Sequence, residues 1–205
     1  MQESEKKNRL VIIGASGYGK VVADIAFLNG YTDIVFLDDN DGIKECAGFP
    51  VIGKTELAVS IEGDKIVAIG NAAVRKKIQN GIDMVTLIHP DAVIGRRVKI
   101  GQGTVIMAGA IINSDTEIGD GCIINTASSV DHDCIVGDYC HIAVGAHVCG
   151  TVHIEKYTWI GAGSTISNNV NVCSNCIVGA GAVVINNIDK AGTYVGVPAK
   201  RLKED

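Results

Sequence analysis

A chain of 205 residues, 47% hydrophobic and 20% charged, is long enough for one or two domains with a substantial core. Its 18 Lys and Arg against 23 Asp and Glu leave a formal net charge of -5, which argues against nucleic acid or an anionic membrane as the main partner. Residues 1–7 read as a polar leader and not as a signal peptide, and no apolar run has the ~20 residues that cross a bilayer, so a cytoplasmic location is expected.

The first 88 residues alternate between strand and helix patterns. Residues 9–13 (RLVII) form a short apolar run followed by the glycine-rich turn GASGYG at 14–19. Residues 20–29 carry helical spacing at Val21, Val22, Ile25 and Leu28, with Gly30 placed as a C-terminal cap. A second strand is expected at 33–37, ending in Asp38 and Asp39, and a third at 65–69, closed by Gly70 and Asn71. Residues 72–79 suit a helix and 85–88 one more strand, before His89-Pro90 marks a boundary. Strand, glycine turn, helix and strand in that order make a Rossmann-like βαβ unit with a parallel sheet, placed at 8–88. A second domain then occupies 89–205.

The spacing Gly14-x-x-Gly17-x-Gly19 is not the G-x-G-x-x-G of dinucleotide binders. Glycines nevertheless let a ligand approach the backbone, and the start of the next helix offers N–H groups to a phosphate. Ser16, Gly17, Tyr18, Asp38, Asp39, Gly70 and Asn71 all fall at the carboxyl ends of these strands, where a nucleotide sugar is the leading candidate ligand. A tight βα turn with Ser16 as helix cap is the structural alternative, and a nicotinamide cofactor is the third.

From Ile94 to Val184 every sixth residue is Ile or Val, sixteen times in succession, and two residues before each stands Ala, Val, Thr, Cys or Ser. Neither a 3.6-residue helical period nor an irregular strand meander keeps such a column. Flat sides six residues long do: three sides close an 18-residue coil, and stacked coils pile like on like. Of seven cysteines, Cys122, Cys134, Cys140 and Cys176 sit in the small-residue column and read as fillers. Cys173 is separated from Cys176 by two residues, but the repeat accounts for the second, and no zinc-type cysteine spacing is present.

Residues that break the column carry the chemistry. His132 and Asp133 follow the column residue Val130 on the outside of the coil, and Gly150, 18 residues on, should lie over His132. A glycine there leaves backbone N–H beside the imidazole, as a general base with an oxyanion donor requires. His141 is half a coil from His132, so the two share a site only if another subunit brings its coil alongside. His147 and His153 read as ordinary surface histidines.

The hexapeptide columns, the segment NTASSVDHDC at 125–134 and GVPAKR at 196–201 resemble the left-handed β-helix acyltransferases. With GASGYG, FLDD at 36–39 and AIGN at 68–71 added, the chain is similar to the sugar O-acyltransferase family that includes the sialic acid O-acetyltransferase NeuD group. Within it, the chain looks most like the PglD-like nucleotide-4-amino-sugar N-acetyltransferases. The resemblance covers nearly all of residues 10–202 and implies a left-handed parallel β-helix, a homotrimer with sites between subunits, and acetyl-CoA as co-substrate without a metal. It implies His132 as base, Asp133 raising its basicity and Asn125 nearby. It places acetyl-CoA against His141, Gly150, Ala162 and Ala180, with Lys200 as a candidate cation. Asp133 stands where the PglD-like enzymes carry Glu, and Tyr18 where they carry a histidine close to the sugar. The activity implied is acetylation of the 4-amino group of a nucleotide-linked, UDP-type 4-amino-4,6-dideoxy sugar. O-acetylation of sialic acid or another glycan precursor is the alternative, and a binding solenoid of the carbonic-anhydrase-like type, with a metal or without activity, is a third reading.

Overall fold

The structure, a computed structural model, describes residues 9–202; the polar leader at 1–7 lies outside them. The chain divides into two compact units, one ending at Pro90 and the other starting at Asp91.

In the first unit, β1 (Arg9–Ile13), α1 (Gly17–Leu28) and β2 (Asp33–Leu37) form the expected βαβ start of a parallel sheet. The chain continues through β3 (Glu45–Cys46), β4 (Phe49–Gly53), a 3-10 turn at Thr55–Val59, β5 (Asp64–Val67), α2 (Ala72–Gln79) and β6 (Leu87–Ile88). The strand order β3-β4-β2-β1-β5 puts β1 inside the sheet, between β2 and β5. Leu10, Val11, Ile12 and Ile13 are all fully buried, as a parallel strand covered on both faces must be, which is why the segment is a continuous apolar run. The hairpin of β3 and β4 was not among the expected elements.

Helix α1 begins three residues before the expected start, because the glycine turn itself forms its first turn. Its inward face is Gly19, Val22, Ala23, Ile25 and Ala26, while Val21 and Leu28 are exposed. Gly19 explains the bias to small residues: a Cβ there would stand 2.3 Å from the Gly14 carbonyl oxygen. The helix ends as the glycine at 30 suggests. Gly30 (φ 89°) donates to Phe27 O at 3.0 Å and Tyr31 donates to Ala26 O at 3.2 Å, the paired bonds of a Schellman motif.

The second unit is a parallel β-solenoid of two-residue strands. One face stacks Val93–Ile94, Ile111–Ile112, Ser129–Val130, His147–Val148, Thr165–Ile166 and Val183–Val184, each 18 residues from the last. The other two faces repeat the pattern through Lys99–Ile100 and Val105–Ile106. Column residues from Ile106 to Val184 point inward and are buried, whereas Ile94 and Ile100, on edge strands of the first coil, are only half-buried. Buried hydroxyls in the small-residue column are satisfied by backbone carbonyls: Thr116 Oγ1 donates to Asp131 O at 2.6 Å and Thr104 Oγ1 to Gly119 O at 2.8 Å in the next coil, while Ser128 and Ser164 donate to Asn125 O and Gly161 O in their own. The column therefore fills the interior and pins the corners.

Candidate active site

The corner at 131–133 is held by several side-chain hydrogen bonds. Its third residue, Asp133, is left-handed (φ 55°), in the same column as Arg97, Asp115, Thr151 and Asn169. That bend returns the Asp133 carboxylate to its neighbour, where Oδ2 lies 2.7 Å from His132 Nδ1. A carboxylate only accepts, so Nδ1 carries the proton and Nε2 keeps its lone pair when the ring is neutral. Asp131 Oδ1 accepts from the His132 backbone N–H at 2.9 Å and from Asn113 Nδ2 at 2.7 Å. Thr116 holds the Asp131 carbonyl from beneath, so the corner is fixed from both sides.

Both carboxylates act on the imidazole. The hydrogen bond from Asp133 first, then the charge of Asp131, raise the His132 pKa above its ordinary 6.5. Asp131 itself is held below the usual carboxylate range, chiefly by Asn113 and then by the His132 N–H. The His132 side chain is 55% exposed, so a ligand can reach it.

Gly150 lies over His132 as the 18-residue register requires: Thr151 N–H donates to His132 O at 2.9 Å. A Cβ at Gly150 would stand 2.7 Å from both Nε2 and Cε1 of the ring, so only glycine admits the imidazole here. The Gly150 N–H makes no hydrogen bond among the described residues.

Asn125 and His141 form a second cluster, apart from His132 within the chain. Asn125 Nδ2 lies 3.0 Å from His141 Nε2, and the His141 ring stacks on Trp159 with centroids 5.4 Å apart and planes 11° off parallel. Asn125, grouped with the base on sequence, thus belongs with His141 in one chain. Ala162 and Ala180 are exposed on the same edge as Asn125, in two later coils, between Gly161 and Gly163 and between Gly179 and Gly181, and their N–H groups make no hydrogen bonds among the described residues. Lys200 is exposed in the antiparallel pair with Val195. His147 bonds Ser129 Oγ at 2.9 Å on a flat face. Among the described residues, no group of three or more His, Cys, Asp or Glu is arranged to hold a metal ion.

In the first unit, the chain runs from β1 outward to β2 and β4 and then returns to β5 on the other side of β1. The crevice at the carboxyl ends of β1 and β5 is therefore a topological switch point, where open α/β sheets take ligands. Ser16, Gly17 and Tyr18 stand on one lip and Gly70 and Asn71 on the other. Gly14 (φ 113°) brings the lips together: a Cβ there would meet Ala68 O at 2.7 Å. At Gly17 and Gly70, by contrast, a Cβ would meet nothing within 4 Å, so the protein's own packing does not demand glycine at either.

Asp38 ties the turn to β2, accepting from Ala15 N–H at 2.7 Å and Asn40 N–H at 2.8 Å. Asp39, paired with Asp38 on sequence, faces elsewhere: its carboxylate caps the 3-10 turn through Thr55 N–H (3.0 Å) and Thr55 Oγ1 (2.9 Å), and those bonds lower its pKa. Asn71 caps α2, accepting from Val74 N–H at 3.1 Å. Ser16 occupies the N-cap position of α1 without a side-chain cap, which leaves its hydroxyl available. A cavity of about 180 Å3 opens beside Asp38, lined also by Asn40, Ile43, Lys44, Ile52 and Lys54.

Sequence reasoning missed three supporting residues. Arg75, fully buried, donates to Ile69 O at 3.0 Å and Gly70 O at 2.7 Å and so braces the second lip. Asn113 and Trp159 lie 18 residues from Asp131 and His141, so the register that found Gly150 would have found both.

Residues 9–82 match the PglD N-terminal domain family and residues 91–128 the bacterial transferase hexapeptide (six repeats) family. The acetyltransferase domain of PglB from Neisseria gonorrhoeae FA1090 is 41% identical, with a TM-score of 0.91 over 95% of this chain and 99% of that one. PerB from Caulobacter crescentus, solved with CoA and GDP-perosamine, is 34% identical, with a TM-score of 0.89 over 95% and 97%. The UDP-N-acetylbacillosamine N-acetyltransferase of Bacillus subtilis (strain 168) is 36% identical over 110 residues, which is 48% of this chain and 51% of that protein. The match thus spans about half the length of that curated relative. A PglD-type sheet unit joined to a hexapeptide solenoid defines a class of acyltransferases. The chain belongs to the PglD-like hexapeptide acyltransferases.

Proposed function

We propose that the chain transfers the acetyl group of acetyl-CoA to the 4-amino group of a nucleotide-linked 4-amino-4,6-dideoxy sugar, with His132 as general base. The observation that carries this is the imidazole held by Asp133 at 2.7 Å, with its Nε2 edge against a glycine. A thioester is already activated, so the enzyme's work is to align an amine with it and remove a proton. Alignment contributes up to about 7–11 kcal/mol in the best cases, and a base about 10²–10⁴-fold.

In this mechanism the neutral sugar amine attacks the thioester carbonyl carbon. Nε2 of His132 takes the ammonium proton, and Asp133 stabilises the imidazolium through Nδ1–H. The Gly150 N–H is the candidate donor to the developing oxyanion. As the C–S bond breaks, the CoA thiolate leaves and takes up a proton from the imidazolium, which restores the base. No covalent enzyme intermediate is needed. The unengaged N–H groups of Ala162 and Ala180 suit the amide-bearing arm of acetyl-CoA, with His141 beside it and Lys200 near the anionic end. In the proposed homotrimer the active site lies between subunits, so the Asn125 and His141 cluster of one serves His132 of another.

The switch-point crevice of the first unit takes the nucleotide. The open positions at Gly17 and Gly70 let a diphosphate approach backbone N–H groups at the start of α1, and the cavity beside Asp38 suits the nucleoside. UDP is the proposed nucleotide. CoA release measured with a thiol reagent, over UDP-, dTDP- and GDP-linked 4-amino sugars and their 4-hydroxy counterparts, tests the proposal. Turnover confined to amino sugars, fastest with UDP, is the expected result; faster transfer to hydroxyls would favour O-acetylation.

A further inference from the structure

The last solenoid corner on one edge departs from those that precede it. Along that edge each polar small-column residue donates to the first corner residue of the following coil. Cys122 Sγ reaches Gly137 O at 3.2 Å, Cys140 Sγ reaches Glu155 O at 3.2 Å and Thr158 Oγ1 reaches Cys173 O at 3.1 Å. Cys176 comes next, but its acceptor, Lys190 O, is 3.8 Å away, because the chain is leaving the register through a single bridge between Val172 and Ile188. Its sulfur lies instead 3.5 Å from Cys173 Sγ.

Cys173 begins the same corner. Preceding coils carry Gly101, Gly119, Gly137 and Glu155 there, so the stacking does not call for a thiol. The intervening turn at Ser174 and Asn175 (φ 59°) folds the chain back. A β-turn holds its end Cα atoms within about 7 Å, and a disulfide spans about 4.4–6.8 Å. Cys173 is partly exposed and Cys176 buried.

We propose that Cys173 and Cys176 form a modification site, a dithiol that a low-molecular-weight disulfide oxidises reversibly to an intramolecular cystine. The Cys173 thiolate attacks one sulfur of the oxidant, whose S–S bond breaks and whose departing thiolate takes up a proton. Cys176 then loses its proton, attacks Cys173 Sγ and expels the second oxidant thiol. Two electrons and two protons pass from the pair to the oxidant, which leaves as two thiols. Cys173, the partly exposed thiol, is the point of entry, and the buried Cys176 is the intramolecular second attacker; burial and then the neighbouring thiol push Cys176 up to about 12, in keeping with that order. This site does not rest on the acetyl-transfer reading.

The test treats the full-length protein with glutathione disulfide, quenches it in acid, and alkylates it with N-ethylmaleimide under denaturing conditions. With seven cysteines in the chain, intact mass should give a loss of two adducts, peptide mapping should place the bridge at Cys173 and Cys176, and dithiothreitol should restore full labelling. Cys173→Ser, under the same treatment, should show no bridge. Full labelling of the treated wild type, a bridge elsewhere, or glutathione persisting on Cys173 would overturn the proposal.

Discussion

At His132, two carboxylates lift the pKa, so the neutral ring that can accept a proton appears only as pH rises past a value above the ordinary 6.5. The acidic limb of kcat/KM should therefore lie above that value. Asp133→Asn removes the largest cause of the shift, so the limb should move to lower pH while the protein stays folded; an unmoved limb would detach Asp133 from the base. Gly150→Ala makes a separate demand. Its Cβ would overlap the ring at 2.7 Å, so the imidazole must swing away, and turnover should fall about a hundredfold with thermal stability little changed. Near-normal turnover in Gly150→Ala would mean the observed ring position is not the working one. The Gly150 contact was readable in advance because an 18-residue period converts sequence distance into vertical stacking, whereas the Asp133 contact was implied only by the family resemblance. Asp39 was not readable: adjacent residues at a strand end diverge, and only the fold reveals that Thr55 claims its carboxylate.

Elements were legible where one force dominates. The sixteen-fold column admits one solution, and the buried run of β1 and the glycine-ended α1 follow the same logic. The hairpin of β3 and β4 escaped because its turn hides its signal. Ala47 (φ 53°) and Gly48 (φ 80°) are both left-handed, as a two-residue hairpin turn requires, but Ala replaces the usual Asn or Asp. An L-residue in that region costs about 1–2 kcal/mol, which Asn offsets in part, so Ala47→Asn should raise stability by up to about 1 kcal/mol in denaturant unfolding. A loss of stability would contradict that reading of the turn. In the solenoid, Ile142 is fully buried between stacked coils. Ile142→Ala should cost about 2–5 kcal/mol, and a cost under about 1 kcal/mol would indicate a loosely filled interior.

At the scale of the molecule, the two units divide the labour in the proposed reaction: a switch-point crevice for the nucleotide, and a solenoid corner for the proton. The domain order was legible because the sequence changes from alternating α/β texture to a strict hexad. What one chain cannot supply is the meeting of His132 with the cluster of Asn125, His141 and Trp159, since these lie on different edges of the same coils. The proposed trimer supplies it, and sedimentation equilibrium should give the mass of three chains. The most direct measurement of the central claim is acetyl transfer by His132→Ala, with acetyl-CoA binding followed in parallel. Turnover lower by about a hundredfold or more, with acetyl-CoA affinity retained, is the predicted result. Turnover within a fewfold of the unmodified protein would contradict the assignment of His132 as the proton acceptor.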